Sequence, residues 1–109
     1  METGKEDNEM TVPIVETTDF NTPSVSLPHP LGGTQKIWRF KNGYGASVVI
    51  FPYSYGYEAG LWELGVLEFN ADGTYGLTYE TCVSNDVIGH LSESEVEVFL
   101  KKIQELKQK

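Results

Sequence analysis

Cysteine, histidine and basic side chains are all scarce in this chain. One cysteine, Cys82, stands among 109 residues, so no disulfide can form within the chain, and C-x-x-C is absent. The two histidines, His29 and His90, do not join that thiol at any metal-ligand spacing, and no metal or cofactor is expected. Long apolar runs are also missing. No window approaches the roughly 18 consecutive apolar residues of a membrane span, and the opening METGKEDNEM lacks the apolar core of a signal peptide. A soluble, cytoplasmic protein is expected, with no membrane partner.

Eight Lys and Arg face sixteen Asp and Glu, a formal net charge of -8. Much of the excess lies in the first 20 residues, where Glu2, Glu6, Asp7, Glu9, Glu16 and Asp19 oppose only Lys5. An acidic surface repels phosphates, so direct nucleic-acid binding is not expected. The opposite idea, an acidic mimic acting as a decoy for a nucleic-acid-binding protein, is kept as the alternative function. It needs carboxylates dense on the folded domain, whereas here most of the net negative excess sits in the first 20 residues.

Two regions of different character divide the chain. Residues 1–34 show no sustained period and hold Pro23, Pro28 and Pro30 before Gly32 and Gly33, which reads as a disordered acidic leader. Its short apolar pieces TVPIV and VSL are candidates to dock as an edge strand or binding peptide, against the entropy of ordering them. Residues 35–109 carry the domain, small enough that a partner or a second copy is a fair expectation.

In this domain KIWRF and ASVVIF flank KNGYG, whose Asn42-Gly43 pair suits the positive φ angles of a tight hairpin. Leu61–Phe69 reads as a third strand and Tyr75–Glu80 as a fourth, joined by a turn at Asp72-Gly73. Connections this short favour antiparallel neighbours. Ser92 and Glu95 form a capping box, with Leu91 and Val96 placed as its hydrophobic staple. Val96, Phe99, Leu100, Ile103 and Leu106 then fall on one helical face. The expected fold is α+β: a four-stranded antiparallel β-meander with one C-terminal α-helix packed on one face.

Alternation puts Trp62, Leu64 and Val66 on one side of the third strand and Leu61, Leu67 and Phe69 on the other. A lone helix covers one face. The other face needs the leader, a second copy, or a different protein. Between the second and third strands, FPYSYGYEAG places Tyr53, Tyr55 and Tyr57 at alternate positions beside Glu58. Tyrosine offers a large rigid contact area with a polar tip, so these residues, with Tyr44, are the candidate partner-binding set. The competing reading makes the same rings the rim of the domain's own core, with hydroxyls satisfied locally.

Catalytic constellations are weak. Cys82 and His90 lack a recognisable third member. Glu63 and Glu68 are five apart on one strand and face opposite sides, and NADGT lacks the remaining ligands of a calcium loop. The protein is not expected to be an enzyme; a small enzyme around Glu58, His90 and Cys82 is the lesser alternative.

The strings WRFKNGYGASVVIFPYSYGYEAGLWELGVLEF, LTYET and NDVIGHL, followed by a terminal helix, resemble a group of small tailed-bacteriophage accessory proteins. The resemblance covers roughly residues 37–100 and omits the leader. No activity is assigned to that group, so no functional residues are carried over. It implies a phage gene product in the host cytoplasm, of the kind that binds and inhibits or redirects a host protein.

Overall fold

The computed structural model describes residues 14–54, 56–83 and 86–108. Five strands follow one another as an antiparallel meander: β1 (Val25–Pro28), β2 (Thr34–Arg39), β3 (Tyr44–Ile50), β4 (Trp62–Phe69) and β5 (Tyr75–Leu77). A sixth, β6 (Ile88–Leu91), pairs with the first half of β4, while β5 pairs with the second half. Helix α1 (Glu93–Gln104) follows. The α+β class, the meander and the helix on one face agree with the sequence reading; the sheet is wider than the four strands expected.

One turn design builds the meander. In HPLGG, FKNGY and NADGT the first residue's N–H donates to the fifth residue's carbonyl, at 3.1, 2.8 and 2.8 Å. The fourth residue, always glycine, donates back to the first, at 2.9, 3.3 and 2.9 Å. Gly32, Gly43 and Gly73 hold φ of 92°, 88° and 90°, the left-handed region a side chain disfavours. Each is therefore a three-residue loop ending in a left-handed glycine. The hairpin expected at Asn42-Gly43 is present, but of the pair only Gly43 has positive φ.

The leader expectation is also corrected where the structure describes it. β1 pairs along β2 from Val25↔Ile37 to Pro28↔Thr34. Ahead of it, the Thr17 amide donates to the Arg39 carbonyl at 2.8 Å, and the Ser24 hydroxyl accepts the Arg39 amide at 3.0 Å. The Trp38 indole donates to the Asp19 carbonyl at 3.1 Å, and the Arg39 guanidinium to the Ile14 carbonyl at 3.0 Å. Phe20 meets Phe40 edge to face at 6.2 Å. These bonds and this ring contact offset the ordering entropy that argued for a free leader. Residues 1–13 of that expectation lie outside the described residues.

Helix α1 begins as its sequence predicts. Ser92 accepts from the Glu95 amide at 3.2 Å while Glu95 accepts from the Ser92 amide at 2.8 Å. Leu91 and Val96 are both buried. Val96, Leu100 and Ile103 pack on Trp38, Ala46, Val48, Leu64 and Val66, forming the main core. The far end of α1 is held by a residue 61 positions away: Asn42 donates to the carbonyls of Ile103, Gln104 and Leu106 at 2.9, 3.1 and 3.0 Å. Its carbonyl accepts the Tyr44 amide at 3.0 Å, so a single buried side chain closes both the β2–β3 turn and the helix end.

The opposite face is thinner. Ile37, Leu67 and Phe69 form a small cluster there, and Ile14 and Val25 of the leader pack on it. Two glycines let bulky side chains lie flat on the sheet. A Cβ at Gly45 would sit 2.8 Å from the Phe69 ring and 1.9 Å from the Trp38 carbonyl; one at Gly65 would sit 2.5 Å from the Leu77 methyl. The Arg39 guanidinium caps Phe69 from 5.0 Å. The cover expected on this face thus comes partly from the leader and partly from side chains laid inward. Beyond it, Tyr75, Leu77 and Tyr79 remain exposed.

Candidate interaction site

In the segment between β3 and β4, the described residues, 51–54 and 56–61, are internally bonded. Buried Ser54 anchors its start: its hydroxyl donates to the Phe51 carbonyl at 2.8 Å and accepts the Phe51 amide at 3.0 Å. The Gly56 carbonyl accepts both the Ala59 and the Leu61 amides, each at 3.0 Å. Between these anchors runs a single 3-10 turn, Tyr57–Ala59, flanked by left-handed Gly56 and Gly60. Gly56 is required for packing as well as for its φ of 87°: a Cβ there would lie 3.1 Å from the His90 Cα and 3.0 Å from the Leu61 Cβ. The loop therefore sits directly on β6.

At that contact β6 is irregular. Trp62 pairs with Leu91 and Leu64 with Ile88, two steps on β4 against three on β6. The extra residue is absorbed by a bulge in which His90 takes φ of 59°, the sole non-glycine with positive φ among the described residues. Such a backbone costs on the order of 1–3 kcal/mol and persists only where its surroundings hold it. Here it brings His90 to the wall of a cleft of about 370 Å³ that Pro52, Tyr53, Ser54, Tyr57 and Glu58 complete.

The rings face outward from this frame. Tyr53 is 81 % and Tyr57 41 % exposed. On the neighbouring side the β1–β2 turn abuts the same loop, with the His29 imidazole stacked on Phe51 at 4.0 Å and the His29 Nδ1 accepting the Leu31 amide at 3.1 Å. His29, flanked by Pro28 and Pro30 in the segment read as leader, therefore makes a structural contact. Exposed Tyr53 and Tyr57 beside a carboxylate and an imidazole suit recognition of an amphipathic surface, since each ring offers apolar area and a polar tip.

Of the candidate set, the structure brings Tyr53, Tyr57 and Glu58 together. Tyr55 lies outside the described residues. Tyr44 does not join them: it starts β3 at the far end of that strand and packs on the main core under α1. His90 lines the cleft, a position the sequence did not reveal because nothing in DVIGHL signals a bulge. Cys82 is exposed, and among the described residues no three His, Cys, Asp or Glu side chains converge as a metal site.

A second cavity, of about 380 Å³, lies between Phe20 and the first turns of α1, floored by Trp38 and Trp62. The Lys36 ammonium sits 4.8 Å over the Trp62 ring, so the chain's own cation occupies that aromatic face. Its floor is core that the helix needs in any case. Tyr53, by contrast, is among the most exposed large side chains of the described residues.

No described helix is long and apolar enough to cross a membrane. No protein family matches the chain, and neither a curated protein nor a solved structure matches it.

Proposed function

We infer that this protein is a non-enzymatic interaction module of phage type, binding and modulating a host or phage protein in the bacterial cytoplasm through its tyrosine loop. One observation carries the reading: Tyr53 and Tyr57 are exposed on a loop whose described residues are tied on either side of them. Tyr53 is 81 % exposed, yet the loop beneath it is tied by the Ser54 and Gly56 bonds. A loop ordered before it meets a partner spares the entropy that ordering would take from affinity. Glu58 and His90 supply a polar rim around the aromatic centre, the usual division of an interface. A second copy of the chain is a further partner, meeting the apolar sheet surface that the leader leaves bare.

The test is affinity capture from an infected bacterial lysate, with the native chain beside a Tyr53→Ala/Tyr57→Ala variant. A protein retained by the first, lost from the second and insensitive to moderate salt supports the reading. A partner held equally by both overturns the loop assignment. Release by moderate salt favours the acidic decoy instead.

A further inference from the structure

We propose that the outer edge of β5 pairs antiparallel with the same edge of a second copy, about a two-fold axis at Leu77, joining two sheets into one. Backbone direction is the first support. The Thr78 amide donates inward to the Val66 carbonyl at 2.9 Å, and the Thr74 carbonyl accepts inward from Asn70. Alternation then turns the N–H and C=O of Tyr75, Leu77 and Tyr79 away from β4, and β5 ends the strand order. The other end of the sheet is blunted, because β1 carries Pro28 and the leader takes up both main-chain groups of Arg39 beside it.

Sequence symmetry selects a second copy as the occupant. Tyr75-Gly76-Leu77-Thr78-Tyr79 reads the same in both directions at its large positions. Antiparallel self-pairing sets Leu77 against Leu77 and each Tyr75 against Tyr79 of the other copy, with reciprocal main-chain bonds at each pair. All three side chains project on one face: Tyr75 rests on Phe69 at 5.1 Å and Leu77 on Gly65. They are 43 %, 51 % and 47 % exposed. An isologous contact requires this self-complementarity, which an unrelated strand has no reason to match.

Charge agrees. In a chain of net charge -8, Thr74–Tyr79 carries no charged residue, so two acidic copies approach there with least repulsion. The contact is small, on the order of 400 Å² per copy, below the standard size of stable interfaces and in the range of weak, transient ones. The dimer is therefore weak and reversible. This edge lies at the opposite end of β4 from the tyrosine loop, roughly 20 Å away by strand rise, so its failure leaves the loop reading untouched.

The experiment is sedimentation of the full chain from micromolar to millimolar concentration. The expected result is a rise from the 12.2 kDa chain mass to twice that value. Tyr79→Lys should weaken the association about tenfold or more while the circular dichroism is unchanged, because a charge on an exposed edge blocks pairing without touching the core. A Leu77→Cys/Cys82→Ser chain should form an interchain disulfide on mild oxidation, since directly paired Cα atoms stand about 5.5 Å apart. A monomer throughout the range overturns the proposal. So does a dimer indifferent to Tyr79→Lys and uncrosslinked at position 77, or a β5 edge protected from hydrogen exchange only when another protein's strand is added.

Discussion

The two faces of this sheet are closed by different means. Under α1, Trp38, Leu64 and Val66 meet three buried helical residues, and Asn42 binds the helix end across the chain. On the other face the cover is local: Phe69 lies over Gly45, Leu77 over Gly65, and Ile14 and Val25 of the leader pack on Ile37, Leu67 and Phe69. The first face holds the fold together through contacts distant in sequence. The second trims a single layer of side chains flat against the strands and leaves its edge bare. Stability and exposure are thus divided between the faces, and among the described residues a single α-helix covers the sheet.

Substitutions of matched chemistry sharpen this division. Leu64→Ala should cost the most, about 3–4 kcal/mol in urea unfolding, because it opens a cavity beneath α1 at a fully buried position. Asn42→Ala should follow at about 2–3 kcal/mol, leaving helix carbonyls without donors. Asn42→Asp should be no better, since it keeps the acceptor for Tyr44 but loses the donors and sets a carboxylate against carbonyl oxygens. Leu77→Ala on the other face should cost under about 1 kcal/mol, because half of that side chain is in water already.

Acid should produce the smallest effect. Thr74's hydroxyl and amide hold the Asp72 carboxyl below the ordinary aspartate range, and the Asn21 amide with the Thr22 hydroxyl does so for Asp19. A depressed carboxyl contributes its stability above its unfolded value and loses it as pH falls through the folded one. The native chain should therefore weaken slightly below the ordinary aspartate range, and Asp72→Asn should flatten part of that acid limb in a thermal melt.

How much of this was legible in the sequence follows from the range of each interaction. The capping box, the staple and the helical stripe are local, and all three stand as read. The meander was legible for the same reason, through NADGT and KNGYG. HPLGG obeys the same turn rule, with Pro30 preset for a turn and Gly32 in the left-handed position; its prolines and its polar neighbourhood disguised it as linker. The leader's docking rests on Trp38 and Arg39 reaching side chain to backbone across 19 and 25 positions, which no local pattern reveals. Asn42's bond to α1 and the bulge at His90 are equally non-local. For the site, the alternation of tyrosines located the loop, while Tyr44 was grouped with it on residue type alone and lies elsewhere.

The most direct measurement compares thermal unfolding of the Tyr53→Ala/Tyr57→Ala chain with that of Trp62→Ala. Trp62 packs on the main core, and its truncation should cost about 2–3 kcal/mol. The double tyrosine variant should melt within about 0.5 kcal/mol of the native chain, as surface side chains do. If both variants melt alike, the phenol rings are part of the core, and this loop is no surface held out for a partner.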